Sequence, residues 1–139
     1  MAGLENTILA AADGMISGAA IEAVGEAGEG MYFSGPDLSF SGDTYQKFLA
    51  TYEEKYGSEP ISVFHAHSFD AANMIFACIE QVGEQEDDGT LHVGRQALRD
   101  CLFATSGFAG ITGSLTCDDY GDCADPKISV SQLTNGEYV

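Results

Sequence analysis

His65 and His67 stand one residue apart, the spacing at which a β-strand can present two imidazoles to one metal ion. A third ligand is hard to name, because His92 is distant in sequence and acidic residues occur throughout. The competing reading is a pair of ordinary histidines that cap or hydrogen-bond at the start of a helix. Asp118, Asp119 and Asp122 with Gly121 have the composition of a calcium loop. They lack the D-x-[DN]-x-[DN]-G order and its distant Glu, and a tight hairpin turn explains the same residues more economically. There is no G-x-S-x-G elbow and no phosphate-cradling glycine loop with Lys-Ser/Thr. With 22 acidic residues, carboxylate pairs can be proposed anywhere and inform little. The chain therefore reads as a protein without catalysis and without a cofactor. Asp13 is more informative. It follows an apolar run directly and precedes Gly14, at what would be the carboxyl end of a strand. In open α/β sheets ligands bind outside those ends, where a carboxylate can pair with an ammonium group. A plain Asp-Gly turn is the other reading of the same residues.

The elements that would position these groups follow from periodicity. Thr7 to Ala12 reads as a short, fully buried strand ending at Asp13-Gly14, and Ser17 suits a helix cap before Ala20, Ile21, Ala23 and Val24. Gly30 to Ser34 reads as a second strand, broken by Gly35-Pro36. Tyr45, Phe48, Leu49, Tyr52 and Tyr56 recur at helical spacing, with Gly57 as the C-terminal stop. That aromatic stripe is better read as core than as a binding platform. A brief extended run over Pro60–Phe64 leads into a helix over residues 66–82, with Phe69, Ala72, Phe76 and Ile79 facing inward. Glu84 to Gly89 reads as a solvated acidic loop and Val93 to Phe103 as another short helix. Strands follow over Gly113–Cys117 and Lys127–Leu133, with Asn135-Gly136 as a turn. Strand-helix-strand at the start implies an α/β layer.

Composition removes several functions. The chain has 139 residues, enough for one domain with a core, and 45% hydrophobic side chains, which fits a packed globule. Its 22 acidic against 5 basic side chains give a formal charge of -17. Such a charge argues against nucleic acid and against anionic membrane surfaces as partners. No apolar run approaches the roughly 20 residues that cross a bilayer. The segment after Met1 lacks a basic start and a long apolar core, and Met1-Ala2-Gly3 reads as a start placed on an internal fragment. The four cysteines, Cys78, Cys101, Cys117 and Cys123, lack the paired C-x-x-C spacing of structural zinc sites. Cys117 and Cys123 bracket a turn, and Cys78 and Cys101 fall on consecutive predicted helices. Two disulfides would place the protein in an oxidising compartment; four buried thiols in a reduced one is the alternative.

Asp13-Gly14-Met15 followed by Ala23-Val24-Gly25-Glu26-Ala27-Gly28-Glu29-Gly30-Met31-Tyr32 is similar to a segment of the leucine/isoleucine/valine-binding family of type 1 periplasmic binding proteins. Phe48, Tyr52, Tyr56-Gly57 and Pro60 resemble its aromatic helix, and Ser68-Phe69-Asp70-Ala71 its next helix start. The tail from Phe108-Ala109-Gly110-Ile111-Thr112-Gly113 to Asn135-Gly136-Glu137-Tyr138-Val139 resembles the family's end. Each motif is short; order and spacing over nearly the whole chain carry the resemblance. It implies a C-terminal fragment of a two-lobed α/β protein with Rossmann-like α-β-α layers, incomplete without its upstream half. Residues 1–34 would lie in the C-terminal lobe, residues 35–116 in the N-terminal lobe after a hinge crossing at Gly35 and Pro36, and residues 117–139 would return across the hinge. It implies capture of an amino acid, branched-chain or similar, for the permease of an ABC importer, in the periplasm or outside the cell, with the parent protein associated with the membrane. Asp13 would hold the ligand's α-ammonium, and Phe64, with His65 beside it, would contact the ligand side chain. The residues that grip the α-carboxylate in this family lie upstream of this chain, and its cysteine pairs are not general to the family. Uncovered sheet edges and apolar faces would lead a fragment to pair with a second copy. The rivals are a sensor of the same fold and a metal-dependent enzyme built on His65 and His67.

Overall fold

Burial alternates along Tyr32–Pro36: Phe33 and Gly35 face inward, Tyr32 and Ser34 outward, the period of a strand covered on one face. The structure is a computed structural model that describes residue 3, residues 6–123 and residues 127–139. Met1 and Ala2, part of the expected fragment start, lie outside the described residues. Two compact units are present, one comprising Met1–His65 with Pro126–Val139 and the other Ala66–Asp125.

The first unit is built on a four-stranded sheet. Its strands are β1 (Ala10–Ala11), β2 (Tyr32–Pro36), β7 (Ile128–Thr134) and β8 (Glu137–Tyr138), in the order β1-β2-β7-β8. The first pair is parallel, and the β2–β7 and β7–β8 pairs are antiparallel. Phe33 and Leu133 are 1% and 2% exposed and form the centre of this core, with the Tyr138 ring edge-on to Phe33 at 5.0 Å. The expected turn forms at Asn135-Gly136, where both residues have positive φ, 55° and 81°, as a twist-matched hairpin requires.

Two strand expectations need correction. Thr7–Ala12 is not a buried strand: only Ala10–Ala11 pair, at an edge, and Ile8 is 79% exposed. Gly35-Pro36 does not break β2, which pairs with β7 through Pro36 opposite Ile128. The Tyr32 amide donates to Leu9 on the β1 side, whereas the Asp37 amide donates to Lys127 on the β7 side. By alternation the Pro36 nitrogen faces the β1 side, beyond the last β1 partner, so no ladder bond is lost.

Helix α1 (Gly18–Val24) starts as expected at Ser17, whose hydroxyl accepts from the Ala20 amide at 3.1 Å. Helix α2 (Asp43–Tyr56) stops at Gly57, with φ 71° in the left-handed region. Its stripe runs Tyr45, Phe48, Tyr52, Tyr56 in successive ring contacts of 6.4, 6.0 and 4.6 Å. Residues 60–64 are not extended but form bends and a turn.

The second unit holds most of α3 (His65–Val82), the hairpin β3 (Glu84–Gln85) and β4 (Leu91–His92), α4 (Arg95–Phe103), and the hairpin β5 (Phe108–Ala109) and β6 (Ser114–Leu115). The buried face of α3 is Ala66, Asp70, Met74 and Cys78, one residue per turn. Phe69 and Phe76, expected inside, are 37% and 61% exposed. Asp70 is drawn in by the β5–β6 turn, whose donors it satisfies. Glu84–Gly89 is solvated as expected, but as the turn of a hairpin in which the Asp88 carboxylate accepts from the Thr90 amide at 2.8 Å. That bond holds the Asp88 carboxyl below its usual range. Disulfides join Cys78 to Cys101 and Cys117 to Cys123. Inside the second bridge the Asp118 carboxylate accepts from the Tyr120 and Asp122 amides at 2.8 and 2.9 Å, the hydrogen bonding of a tight turn. Among the described residues no helix is long and apolar enough to cross a membrane.

Candidate functional site

The first unit carries an open cleft of about 630 Å³, within the size range of small-molecule sites. One side is the start of α1, contributing Ile16, Ser17 and Ile21; the other is α2 with the segment that follows it, contributing Tyr45, Leu49, Glu53, Glu59 and His65. Two acids and several apolar side chains face this space.

Tyr45 is 7% exposed, yet its hydroxyl is not stranded: it lies 2.8 Å from His65 Nε2. His65 Nδ1 lies 2.6 Å from the Ser62 carbonyl oxygen, which can only accept, so Nδ1 carries the ring proton and donates. Tyr45 then donates to Nε2. Burial raises the Tyr45 pKa above the ordinary tyrosine value, and the nearby Glu59 charge adds to that, so the phenol keeps the proton this bond needs. The imidazole lies parallel to Phe48, 4° between planes at 5.9 Å, and stacks on Tyr45 at 5.8 Å.

The opposite wall is tied down from the far end of the chain. Tyr138 Oη accepts from the Ser17 amide at 3.2 Å and lies 2.9 Å from the Met15 carbonyl, to which it donates. A residue of β8 thus fixes the junction between the 3₁₀ turn Asp13–Met15 and α1.

Asp13 is exposed, in the first position of that turn, just past the carboxyl end of β1. Its Cβ lies 3.6 Å from where a side chain on Gly35 would begin, so the expected ammonium-binding residue and the expected hinge residue are neighbours. Phe64 is 41% exposed. Of the three expected ligand contacts His65 lines the cleft, whereas Asp13 and Phe64 are not among its described lining residues. Both ring nitrogens of His65 are engaged by protein atoms. His65 and His67 lie in the first turn of a helix rather than on a strand, which removes the geometry by which that pair would share a metal. His92 instead lies 3.0 Å from Glu86 in an exposed pair. Among the described residues no group of three or more His, Cys, Asp or Glu side chains is placed to hold a metal ion.

Tyr45, Ser62 and Tyr138 carry this geometry and did not stand out in the sequence. Tyr45 sits in a stripe that reads as core. Nothing local links Tyr138 to Ser17, 121 residues away.

No protein-family model and no curated protein sequence matches the chain. Solved structures do. A leucine-binding protein, LivK, from Thermotoga maritima matches over 94% of this chain and 35% of its own, at 29% identity and a TM-score of 0.72. A protein described as a branched-chain amino acid ABC transporter from Rhodospirillum rubrum matches over 94% and 36%, at 25% identity and a TM-score of 0.58. The branched-chain substrate-binding protein LivJ from Streptococcus pneumoniae, solved with isoleucine, matches at 19% identity and a TM-score of 0.72, again over 94% and 35%. The chain thus spans about a third of the length of these proteins. Its fold is that of part of a type 1 periplasmic binding protein.

Proposed function

We propose that this chain, which folds as part of a type 1 periplasmic binding protein and is similar to branched-chain amino-acid substrate-binding proteins, contributes to a receptor that captures an amino acid for an ABC importer. The observation that carries this reading is the LivK match, at 29% identity over 94% of the chain. Residues 1–34 are assigned to one lobe, residues 35–116 to the other, and residues 117–139 to the return across the hinge. The assignment follows the resemblance of the motifs; within this chain residues 1–65 group instead with residues 126–139.

Mechanism is closure about that hinge, with no bond chemistry. Asp13, held past the carboxyl end of a parallel strand pair, accepts the ligand's α-ammonium. Phe64, backed by His65, meets its side chain. The two disulfides support an exported protein, periplasmic or extracellular, that delivers its solute to a permease in the membrane. Ile8 and Val130 of the first unit, 79% and 67% exposed, give a second copy of this chain apolar side chains to pair with. A monomer at every concentration in sedimentation would remove that last element.

The test is a thermal-shift panel of amino acids on the longest natural protein that contains this chain. A ligand at about 100 times its Kd adds about 2.7 kcal/mol to the folded state, a visible rise in Tm. The expected hit is a branched-chain amino acid, with binding weakened about 30- to 150-fold by Asp13→Ala, the equivalent of about 2–3 kcal/mol for a charge-assisted bond. No response to any amino acid would overturn capture as the function.

A further inference from the structure

Phe64 is an exposed aromatic, and an exposed ring is only as well placed as the backbone beneath it. That backbone belongs to a turn without regular secondary structure. It is nevertheless held at both flanks. On one side the Phe64 amide donates to Ser62 Oγ at 3.3 Å. On the other, His65 returns to the same Ser62 twice, its amide at 3.4 Å and its Nδ1–H at 2.6 Å from the carbonyl oxygen. The far side of the imidazole is anchored in α2, through the Tyr45 hydroxyl at Nε2 and the parallel Phe48 ring.

We infer that Tyr45 and His65 are positioning residues: a Tyr45–His65–Ser62 relay couples α2 to the turn and sets where Phe64 stands. His65 then acts through its neighbour and not by touching the solute, because neither ring nitrogen is left to offer one. This inference deepens the capture reading and rests on it for the role of Phe64. The relay itself is independent of any ligand. It requires a single tautomer, with the proton on Nδ1. A hydroxyl donor in α2 is the part no other group replaces, since Phe48 supplies only a stacking surface. Charged groups near the relay include Glu59, whose field acts on Tyr45, and Glu53, which lines the same cleft from α2.

The relay is tested first without ligand, by imidazole ¹⁵N and phenylalanine ¹³C resonances of this chain. The expected result is one His65 tautomer, protonated at Nδ1. Tyr45→Phe, which keeps the ring and removes only the hydroxyl, should shift the Phe64 signals while leaving those of Phe33 in place. An Nε2–H tautomer, or Phe64 signals unmoved by Tyr45→Phe, would overturn the relay. The second arm uses L-leucine as probe on the longest natural protein that contains this chain. Tyr45→Phe and His65→Asn should each raise its Kd about five- to tenfold, with the double variant no worse than either single one, as for residues acting as one unit. Additive losses, or no loss, would overturn the positioning role. If the unaltered protein does not bind leucine, the solute assignment fails, and the resonance arm still decides the relay.

Discussion

The carboxylate of Asp70 is 2% exposed and accepts three hydrogen bonds, from the Ile111 amide at 2.8 Å, the Thr112 amide at 2.8 Å and the Thr112 hydroxyl at 2.6 Å. A buried charge is costly unless it is matched by donors, and here one side chain on a helix supplies the acceptors for a whole turn. Gly110 completes the arrangement, because a Cβ there would collide with the carboxylate. Asp70→Ala removes the acceptors and leaves two amides and a hydroxyl without partners. Its expected cost is about 2–4 kcal/mol, read as a lower urea midpoint together with faster hydrogen exchange at Ile111 and Thr112. An unchanged midpoint would mean that the β5–β6 pairing alone holds the turn. The polar groups of the cleft work at the same scale: His65 and Tyr138 each use a polar atom to place backbone, and Tyr45 uses its hydroxyl to hold His65.

At the level of elements, α3 shows how hydrophobicity alone can rotate a helix wrongly. Phe69 and Phe76 are the most apolar choices for an inward face, yet the buried residues are Ala66, Asp70, Met74 and Cys78. Asp70 is pulled inward by its donors, and Cys78 by its bridge to α4. The bridges themselves differ in what they constrain. Cys78–Cys101 closes a loop of 23 residues and Cys117–Cys123 one of 6. Loop-closure entropy alone assigns them about 3.4 and about 2.2 kcal/mol. Replacing Cys78 and Cys101 together by Ala should therefore lower the urea midpoint more than replacing Cys117 and Cys123. The reverse order would show that the short acidic turn, not the helix pair, limits the stability of this unit.

Over the whole molecule, 22 acidic against 5 basic side chains repel one another in the folded state more than in the expanded one. Raising sodium chloride from about 10 mM to about 150 mM shortens the Debye length from roughly 30 to 8 Å. Tm should rise over that range, and a flat or falling value would show that short-range pairs offset the net charge. Exposed ion pairs such as His92–Glu86 contribute little either way. The same charge argues against phosphate-rich partners. That is the setting in which the match to about a third of LivK becomes a functional reading.

What the sequence determined by itself is mostly local. Ser17 as a cap, Gly57 as a stop, Asn135-Gly136 as a hairpin turn and the aromatic spacing of α2 are each decided by a few adjacent residues, and each was legible there. The order of short motifs identified the fold for the same reason. The two cysteine pairings were readable as well, one from a short turn and the other from consecutive helices. The tertiary structure decided everything that depends on a distant partner. It left Thr7–Ala12 at a sheet edge, carried β2 through Pro36 because the proline nitrogen faces the open side, and curled residues 60–64 around His65. It also set the Tyr138 hydroxyl against Ser17 and turned Asp70 inward. Local propensity has no term for a hydrogen bond closed across 40 or 120 residues; one such bond sets a wall of the cleft, and another turns α3 in the second unit.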